Sequence, residues 1–313
     1  MCPGENDLNR LENIRCFVHV AEQNSVTRAA EQLSLAPSAV SRRLKELETR
    51  LGVQLVSRTT RRMSLTEEGQ QFFRRCQRIL ADLEEAEAEI ADGGKGLRGQ
   101  LRLAAPLSFG LAHLTPLVCS FAKSNPELTL DIDLSDRLVD LVGEGFDVAL
   151  RIGTLRDSSL IARKLCEMRM IACAAPAFLD THGRPERPEE LRGMPALCYA
   201  GSTRPDIWRY RDEDGNEQAV QLDVRLRATN GDMLRDAAIA GLGVVLKPSF
   251  IVARAIRAGA LEVILPETDW SGIALQLVYP NTRHVAPKTR AFIEAARGHF
   301  GAEPHWEREL GLT

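Results

Sequence analysis

The glycine-rich stretch GGKGLRG at 93–99 constrains this chain most, because the hydrophobic period changes across it. Before it, apolar residues recur every three or four positions, with one short alternating interruption. After it, alternating runs are interleaved with helical ones. One bundle or one sheet cannot satisfy both patterns, so the stretch reads as a hinge between a helical module and a larger α/β module. A chain of 313 residues that is 44% hydrophobic has material for two or three cores.

The formal charge of −3 taken alone argues against a nucleic-acid partner, but it hides a split. Residues 1–80 carry 13 Lys/Arg and 9 Asp/Glu, whereas residues 81–313 carry 27 and 34; within 25–66 the count is 8 to 3. The chain is therefore a compact basic module joined to a larger acidic one. Seven cysteines without a CxxC pair suit neither a disulfide scaffold nor a zinc site. The opening MCPGENDLNRLEN has no apolar signal core, and no apolar run reaches the ~18–20 residues of a membrane span. The expectations are a reducing cytoplasm, no membrane, no metal and no cofactor.

Within the basic module, Ile14, Phe17, Val18 and Ala21 mark one half-buried helix. Ser25 caps a second, whose inner side is Val26, Ala29, Ala30 and Leu33. After a break at 34–36, Pro37 opens a third helix, where its missing N–H has no partner to lose. That helix buries Val40, Leu44, Leu47 and Leu51, and Gly52 stops it. Its other side holds Ser38, Ser41, Arg42 and Lys45 at i, i+3, i+4, i+7. Short polar groups at the start let a helix lie deep in a DNA major groove, and Arg42 can reach a guanine edge or a phosphate. On this helix alone a plain solvated face is an equal reading.

The following segment, VQLVSRTTRRMSLT at 53–66, alternates at Val53, Leu55, Met63 and Leu65 around Arg58, Arg61 and Arg62. It predicts a two-stranded ribbon with a basic tip, the wing of a winged helix-turn-helix, lying on phosphates or in the minor groove. Thr66 then caps a long helix that runs to about Asp92. Phe73, Cys76, Leu80, Leu83 and Ile90 form its apolar stripe, interrupted at Glu87. A dimer seam is favoured there over packing on the chain's own core.

Beyond the hinge, strands are expected at 101–103, 128–134, 146–151, 168–174, 196–199, 220–228, 244–248 and 274–279. Helices are expected at 108–124, 136–143, 232–240, 249–257 and 287–300. This is an α/β domain of mainly parallel sheet.

The segment SVTRAAEQLSLAPSAVSRRLKELETRLGVQLVSRTTRRMSLTEEG (25–69) resembles the DNA-binding half of a LysR-type transcriptional regulator. GQLRLAAPLSFGLAHLTPLV, LSDRLVDLVGEGFDVALRIG and AAIAGLGVVLKPSF are similar to the effector-binding half of that family. The resemblance implies an α+β multi-domain chain. Residues 1–66 would form a winged helix-turn-helix, 67–92 a linker and dimerisation helix, and 93–313 an effector domain like a periplasmic binding protein. That domain would have two α/β subdomains, about 97–167 with 269–300, and about 168–268. The implied function is transcription regulation by promoter binding, modulated by a small-molecule effector in the cleft between the subdomains. The implied partners are double-stranded DNA, further copies in a homodimer or homotetramer, and RNA polymerase.

Base-facing positions then correspond to Pro37, Ser38, Ser41 and Arg42, and wing contacts to Arg58, Arg61 and Arg62. Effector contacts fall on Ser108, Phe109, Arg151, Ser202, Asn230 and Pro248, around strand ends and helix starts where such folds bind ligands. Ser108 reads equally well as a plain helix cap; Arg151, Ser202 and Asn230 read somewhat better as surface or capping residues. Ala36 departs from the family pattern, in which a serine is common at this cap, and weakens the helix start by about 1 kcal/mol.

Three rival readings bear comparison. An enzyme finds no GxSxG, HExxH or P-loop, and the six histidines combine with no serine or cysteine in a local signature. A transport solute-binding protein fits 97–300 but not the basic module. A redox sensor would use Cys166, Cys173 or Cys198, in strands where inert buried thiols are commoner.

Overall fold

The computed structural model describes residues 5–58, 63–91, 96–153, 160–281, 285–301, 304–308 and 310. They fall into two compact units: Met1–Gln100 with Glu127–Thr129 and Asp140–Gly145, and Leu101–Pro126 with Leu130–Val139 and Phe146–Thr313.

In the first unit, α1 (Glu5–Gln23), α2 (Val26–Gln32) and α3 (Pro37–Leu51) form where the apolar spacing predicted them. Their shared core holds Phe17, Val20, Ala29, Ala30, Val40, Leu44 and Leu47. The Ser25 hydroxyl accepts the Arg28 N–H at 3.3 Å and fixes the start of α2. Ala36 stands at the N-cap of α3 without a side-chain bond, and Gly52 ends α3 in the left-handed conformation at φ 72°. Leu51 and Val53, expected inside, are 38% and 41% exposed, because the chain reverses around Gly52 and buries Leu55 instead.

Strands β1 (Val56–Arg58) and β2 (Met63–Leu65) pair antiparallel, with Val56 opposite Leu65 and Arg58 opposite Met63. Glu48 of α3 accepts the Leu55 and Val56 N–H groups at 2.8 and 3.1 Å, tying the ribbon to that helix. The long helix α4 (Glu67–Ala91) is capped by Thr66, whose hydroxyl accepts the Gly69 N–H at 2.9 Å. Gly69 is required there: a Cβ would stand 1.9 Å from the Leu55 carbonyl oxygen.

The apolar stripe of α4 is partly used within the chain. Cys76 and Leu80 are buried in the core of this unit, Phe73 packs against it, and Phe72 and Phe73 meet Phe17 at ring-centroid distances of 5.6 and 6.3 Å. For that stretch the reading ranked second to a dimer seam, packing on the chain's own core, is the one that holds. The side chain of Ile90 lies outside the described residues.

The second unit contains two five-stranded sheets. From the hinge onward come β3 (Gly99–Ala105), α5 (Leu107–Phe109), a π turn at Gly110–Leu114, α6 (Thr115–Ser124), β4 (Leu128–Leu134) and α7 (Leu141–Glu144). Next are β5 (Val148–Ile152), β6 (Leu160–Met168), β7 (Met170–Ala174), α8 (Pro176–His182) and β8 (Pro195–Tyr199). The hairpin of β9 (Ile207–Arg211) and β10 (Glu217–Gln221) precedes β11 (Asp223–Ala228), α9 (Gly231–Ile239) and β12 (Val244–Pro248). The chain closes with α10 (Ser249–Arg257), β13 (Glu262–Val263), β14 (Ile273–Pro280), α11 (Pro287–Phe300) and α12 (His305–Arg308).

One sheet has the order β4-β3-β5-β14-β6, the other β11-β8-β12-β7-β13. The chain passes between them at Arg169 and again between β13 and β14. Both sheets are mixed: β3/β5, β11/β8 and β12/β8 are parallel, while β12/β7, β13/β7, β14/β5 and β14/β6 are antiparallel. The mainly parallel expectation is corrected because each crossing brings a strand back against the direction of its new neighbours.

Two further corrections are local. The expected helix at 136–143 shrinks to α7, because Asp136 and Asp140 turn their carboxylates onto the N–H groups of Leu107 and Gly143. The single strand expected at 220–228 is two, split at Leu222, whose N–H bonds to the Asp206 carbonyl at 2.9 Å. At the end of the chain, Glu307 accepts the Arg169 N–H at 2.9 Å, its guanidinium at 3.0 Å, and the Ser249 hydroxyl. Beside it Trp306 is buried against Phe109, His113, Phe250 and Phe300.

Candidate functional site

On α3, one side of the helix is taken by the core, which dictates what the remaining positions face. Val40, Leu44 and Leu47 point inward; Pro37, Ser38, Arg42 and Lys45 are exposed and Ser41 is half-exposed. Arg42 keeps 73% of its side chain in solvent, with Glu46 one turn on at 3.7 Å as its ion-pair partner. Arg43, one position further round, is withdrawn from this surface by an ion pair to Glu12 of α1 at 2.8 Å. The result is a helix with hydroxyls at its start and two exposed cations behind them, a geometry that suits entry into a groove. Two exposed cations not singled out in the sequence, Arg28 and Arg50, sit on α2 and α3. Arg61 and Arg62 lie outside the described residues, as does the side chain of Arg58, whose backbone is in β1.

A second site forms where the two sheets of the second unit meet. Asn230, the N-cap of α9, accepts the Met233 N–H at 3.1 Å through its carbonyl. Its amide donates to the Ser108 hydroxyl at 3.4 Å and to Asp136 at 3.1 Å. The other oxygen of Asp136 accepts the Leu107 N–H at 3.1 Å. Ser108 and Asn230, 122 positions apart in sequence, are thus brought together, but the first helical N–H beside Ser108 already has an internal carboxylate. The π turn that follows widens the helix at Gly110–Leu114, and the Thr115 hydroxyl bonds back to the Gly110 carbonyl at 3.1 Å.

The other expected contacts lie differently. Phe109 is fully buried in the aromatic cluster with Phe250 and Trp306. Arg151 donates to the Val139 carbonyl at 2.8 Å, and burial lowers its pKa. Ser202 is exposed in the turn after β8, and Pro248 is half-buried at the start of α10. A separate cavity of about 150 Å³ beside the chain crossing, lined by Arg169, Met170, Ile264, Trp270 and Gly272, shares no residue with this group.

Sequence reasoning missed Asp136, Tyr199 and Lys247. Lys247 is 3% exposed on β12, with its ammonium 4.8 Å from the Tyr199 ring centroid. Desolvation pushes its pKa down to about 8. Burial first, and then the charge of Asp136, raise the pKa of Tyr199. One signal was available: Lys247 is a lone charge inside the apolar run GVVLKP. Among the described cysteines only Cys119 is exposed. Burial pushes Cys166 and Cys198 up to about 11 and Cys173 to about 12, so these thiols stay protonated and lack thiolate reactivity.

Among the described residues no group of His, Cys, Asp and Glu could hold a metal ion, and no helix is long and apolar enough to cross a membrane.

Comparison with known proteins matches both parts of the chain to described families. Residues 11–70 match the family described as bacterial regulatory helix-turn-helix protein, lysR family, and residues 94–301 match the LysR substrate binding domain. The regulator PtxR of Pseudomonas aeruginosa is 39% identical over 96% of this chain and 95% of its own. The structure of CrgA, a LysR-type transcriptional regulator from Neisseria meningitidis, is similar over 92% of this chain and 97% of that one, with 36% identity and a TM-score of 0.58. The full-length structure of the Vibrio cholerae virulence activator AphB covers 92% of this chain and 99% of its own, at 28% identity and a TM-score of 0.59.

Proposed function

The chain belongs to the LysR-type transcriptional regulator family, a family of DNA-binding proteins with an effector-binding domain, and from that premise we propose how its own residues carry the task. Pro37, Ser38, Ser41, Arg42 and Lys45 of α3 enter the major groove, and Arg58, Arg61 and Arg62 of the wing follow the phosphate backbone. The observation that carries this reading is the division of α3 into a fully buried face and an exposed face of hydroxyls and cations. The protein acts in the cytoplasm, where the DNA is, as a homodimer or homotetramer, and performs no catalysis. RNA polymerase is the further partner through which a promoter-bound regulator acts.

The effector site is the junction of the two sheets, where Ser108, Asn230 and the ends of their strands converge, with Arg151, Ser202 and Pro248 at its margin. An effector that binds more tightly when the two sheets are drawn together shifts the population toward that state and alters the spacing of paired DNA-binding heads. A compound that binds both states equally switches nothing.

The test is promoter binding by purified full-length protein across a salt series. Arg42→Ala loses discrimination between operator and scrambled DNA by about 1–3 kcal/mol. Arg61→Ala weakens all sequences alike and flattens the salt slope. If the two variants behave identically, the division into base and backbone contacts is wrong. If the wild type prefers no promoter fragment at modest ionic strength, the DNA-binding assignment of these residues falls.

A further inference from the structure

We propose that the effector of this protein is a small monoanionic carboxylate, and that Lys247 is the residue that recognises its charge. The inference rests on the reading of the sheet junction as the effector site and adds the chemical class of the ligand.

Lys247 is the next-to-last residue of β12, whose other members are apolar. Val245, two residues before it, pairs with Leu197, two residues before Tyr199, so the parallel register sets Lys247 beside Tyr199 at the ends of β12 and β8. Tyr199 in turn pairs with Ala228, two residues ahead of Asn230. The Ala200 N–H bonds to the Ala228 carbonyl at 2.9 Å and keeps these two strand ends side by side. Lys247 and Tyr199 therefore stand at the C-terminal ends of neighbouring strands, with Asn230 two residues beyond the end of the next one. Asn230 spans from one sheet to Ser108 and Asp136 of the other.

Among the described residues, Lys247 has no carboxylate and no hydrogen-bond acceptor; its partner is the face of the Tyr199 ring. Besides Tyr199, the titratable groups that act on it, Cys198 and Cys173, are protonated thiols and supply no countercharge. A desolvated ammonium without an anion is costly to hold, and an arriving carboxylate removes that cost while gaining a charge-assisted bond in a low dielectric. Tyr199 is exposed and offers a phenolic hydroxyl and an aromatic face to the same ligand. Asp136 sets the valence. Its carboxylate is fixed by the Leu107 N–H and the Asn230 amide, close enough to raise the Tyr199 pKa, so a dianion such as phosphate meets about twice the repulsion that a monoanion does.

The experiment uses full-length protein carrying 13Cε-labelled lysine, with the Lys247 resonance assigned by its absence in Lys247→Met. Acetate and benzoate are added at tens of millimolar beside their neutral counterparts acetamide and benzamide, and beside inorganic phosphate. At least one carboxylate is expected to raise the titration midpoint of Lys247 by about a unit or more and to raise Tm, while the amides and phosphate do neither. Lys247→Met loses at least about tenfold in carboxylate affinity, and Lys247→Arg retains most of it. Amides or phosphate acting as well as the carboxylates, carboxylates stabilising Lys247→Met as they do the wild type, or a Lys247 resonance that no carboxylate moves would each overturn the proposal.

Promoter binding in the presence of a neutral metabolite library separates this from failure of the site itself. A response to a neutral compound that Asn230→Trp abolishes leaves the effector site standing and removes only the anion. A response that Asn230→Trp leaves intact removes the site as well.

Discussion

On α3 the side chains of Arg42 and Lys45 stand in water, and Arg42 has an exposed glutamate one turn away. At the sheet junction Lys247 is nearly stripped of water and touches a tyrosine ring. The same charge has opposite consequences in the two places. An exposed cation keeps its hydration, interacts over distance, is screened by salt, and can be replaced without upsetting the fold. A desolvated cation weakens the folded state on its own and therefore favours any anion that can reach it. The first arrangement suits a long polyanion approached from solution; the second suits one small ligand whose charge must be checked.

The comparison can be broken most forcefully by removing the scaffold of one region. Gly69→Ala pushes a methyl group into the Leu55 carbonyl and should destabilise the first unit by about 3 kcal/mol. Promoter affinity is then lost, while ligand-induced change at the Lys247 resonance persists. Loss of both signals together would mean that the two regions do not fold as separable cores.

A second prediction tests the desolvated charge directly. Because the folded-state pKa of Lys247 lies near 8, below its unfolded value of about 10.4, the unfolded chain holds more protons between those limits, and stability contributed through this group rises with pH across that window. Lys247→Met removes that rise. Denaturant titrations at pH 7 and pH 10 should show the variant gaining up to about 2–3 kcal/mol over the wild type at the lower pH and converging with it at the higher. The buried cysteines titrate in both proteins and cancel in the difference. Equal stability at pH 7 would place Lys247 with α3's solvated cations and erase the contrast.

The solvated side is sharpened by smaller effects. Lys45→Ala should weaken operator and non-specific DNA alike, by roughly 1 kcal/mol at low salt, and reduce the slope of log affinity against log salt by about one. Chemical denaturation should be unchanged within ~0.5 kcal/mol. The smallest effect is a gain: Ala36→Ser supplies the missing cap of α3 and should raise the stability of the first unit by about 0.5–1 kcal/mol, read from the urea midpoint.

The helical module was legible because its signals are local. Ser25, Pro37, Gly52 and Thr66 act on backbone within a few residues of themselves, and the 3.6-residue period of Val40, Leu44 and Leu47 settles which way α3 turns. Most strands and helices of the second unit were equally visible. Sheet composition was not, because strand direction depends on where the chain crosses between sheets, and β6 shows too little alternation to stand out. Half of the α4 stripe was misassigned for a related reason: a stripe shows that a helix is covered, not by what.

The residues alone determined the division into a basic helical module and an α/β module, the polar face of α3, and the family. Tertiary structure alone decided that Asp136 occupies the helix start beside Ser108, that Phe109 is core, and that Lys247 meets Tyr199 without a counterion. The physical reason is sequence separation. Caps and periodicity are fixed by neighbours a turn away. Burial of a charge is fixed by strands tens of residues apart that only the completed sheets bring into register.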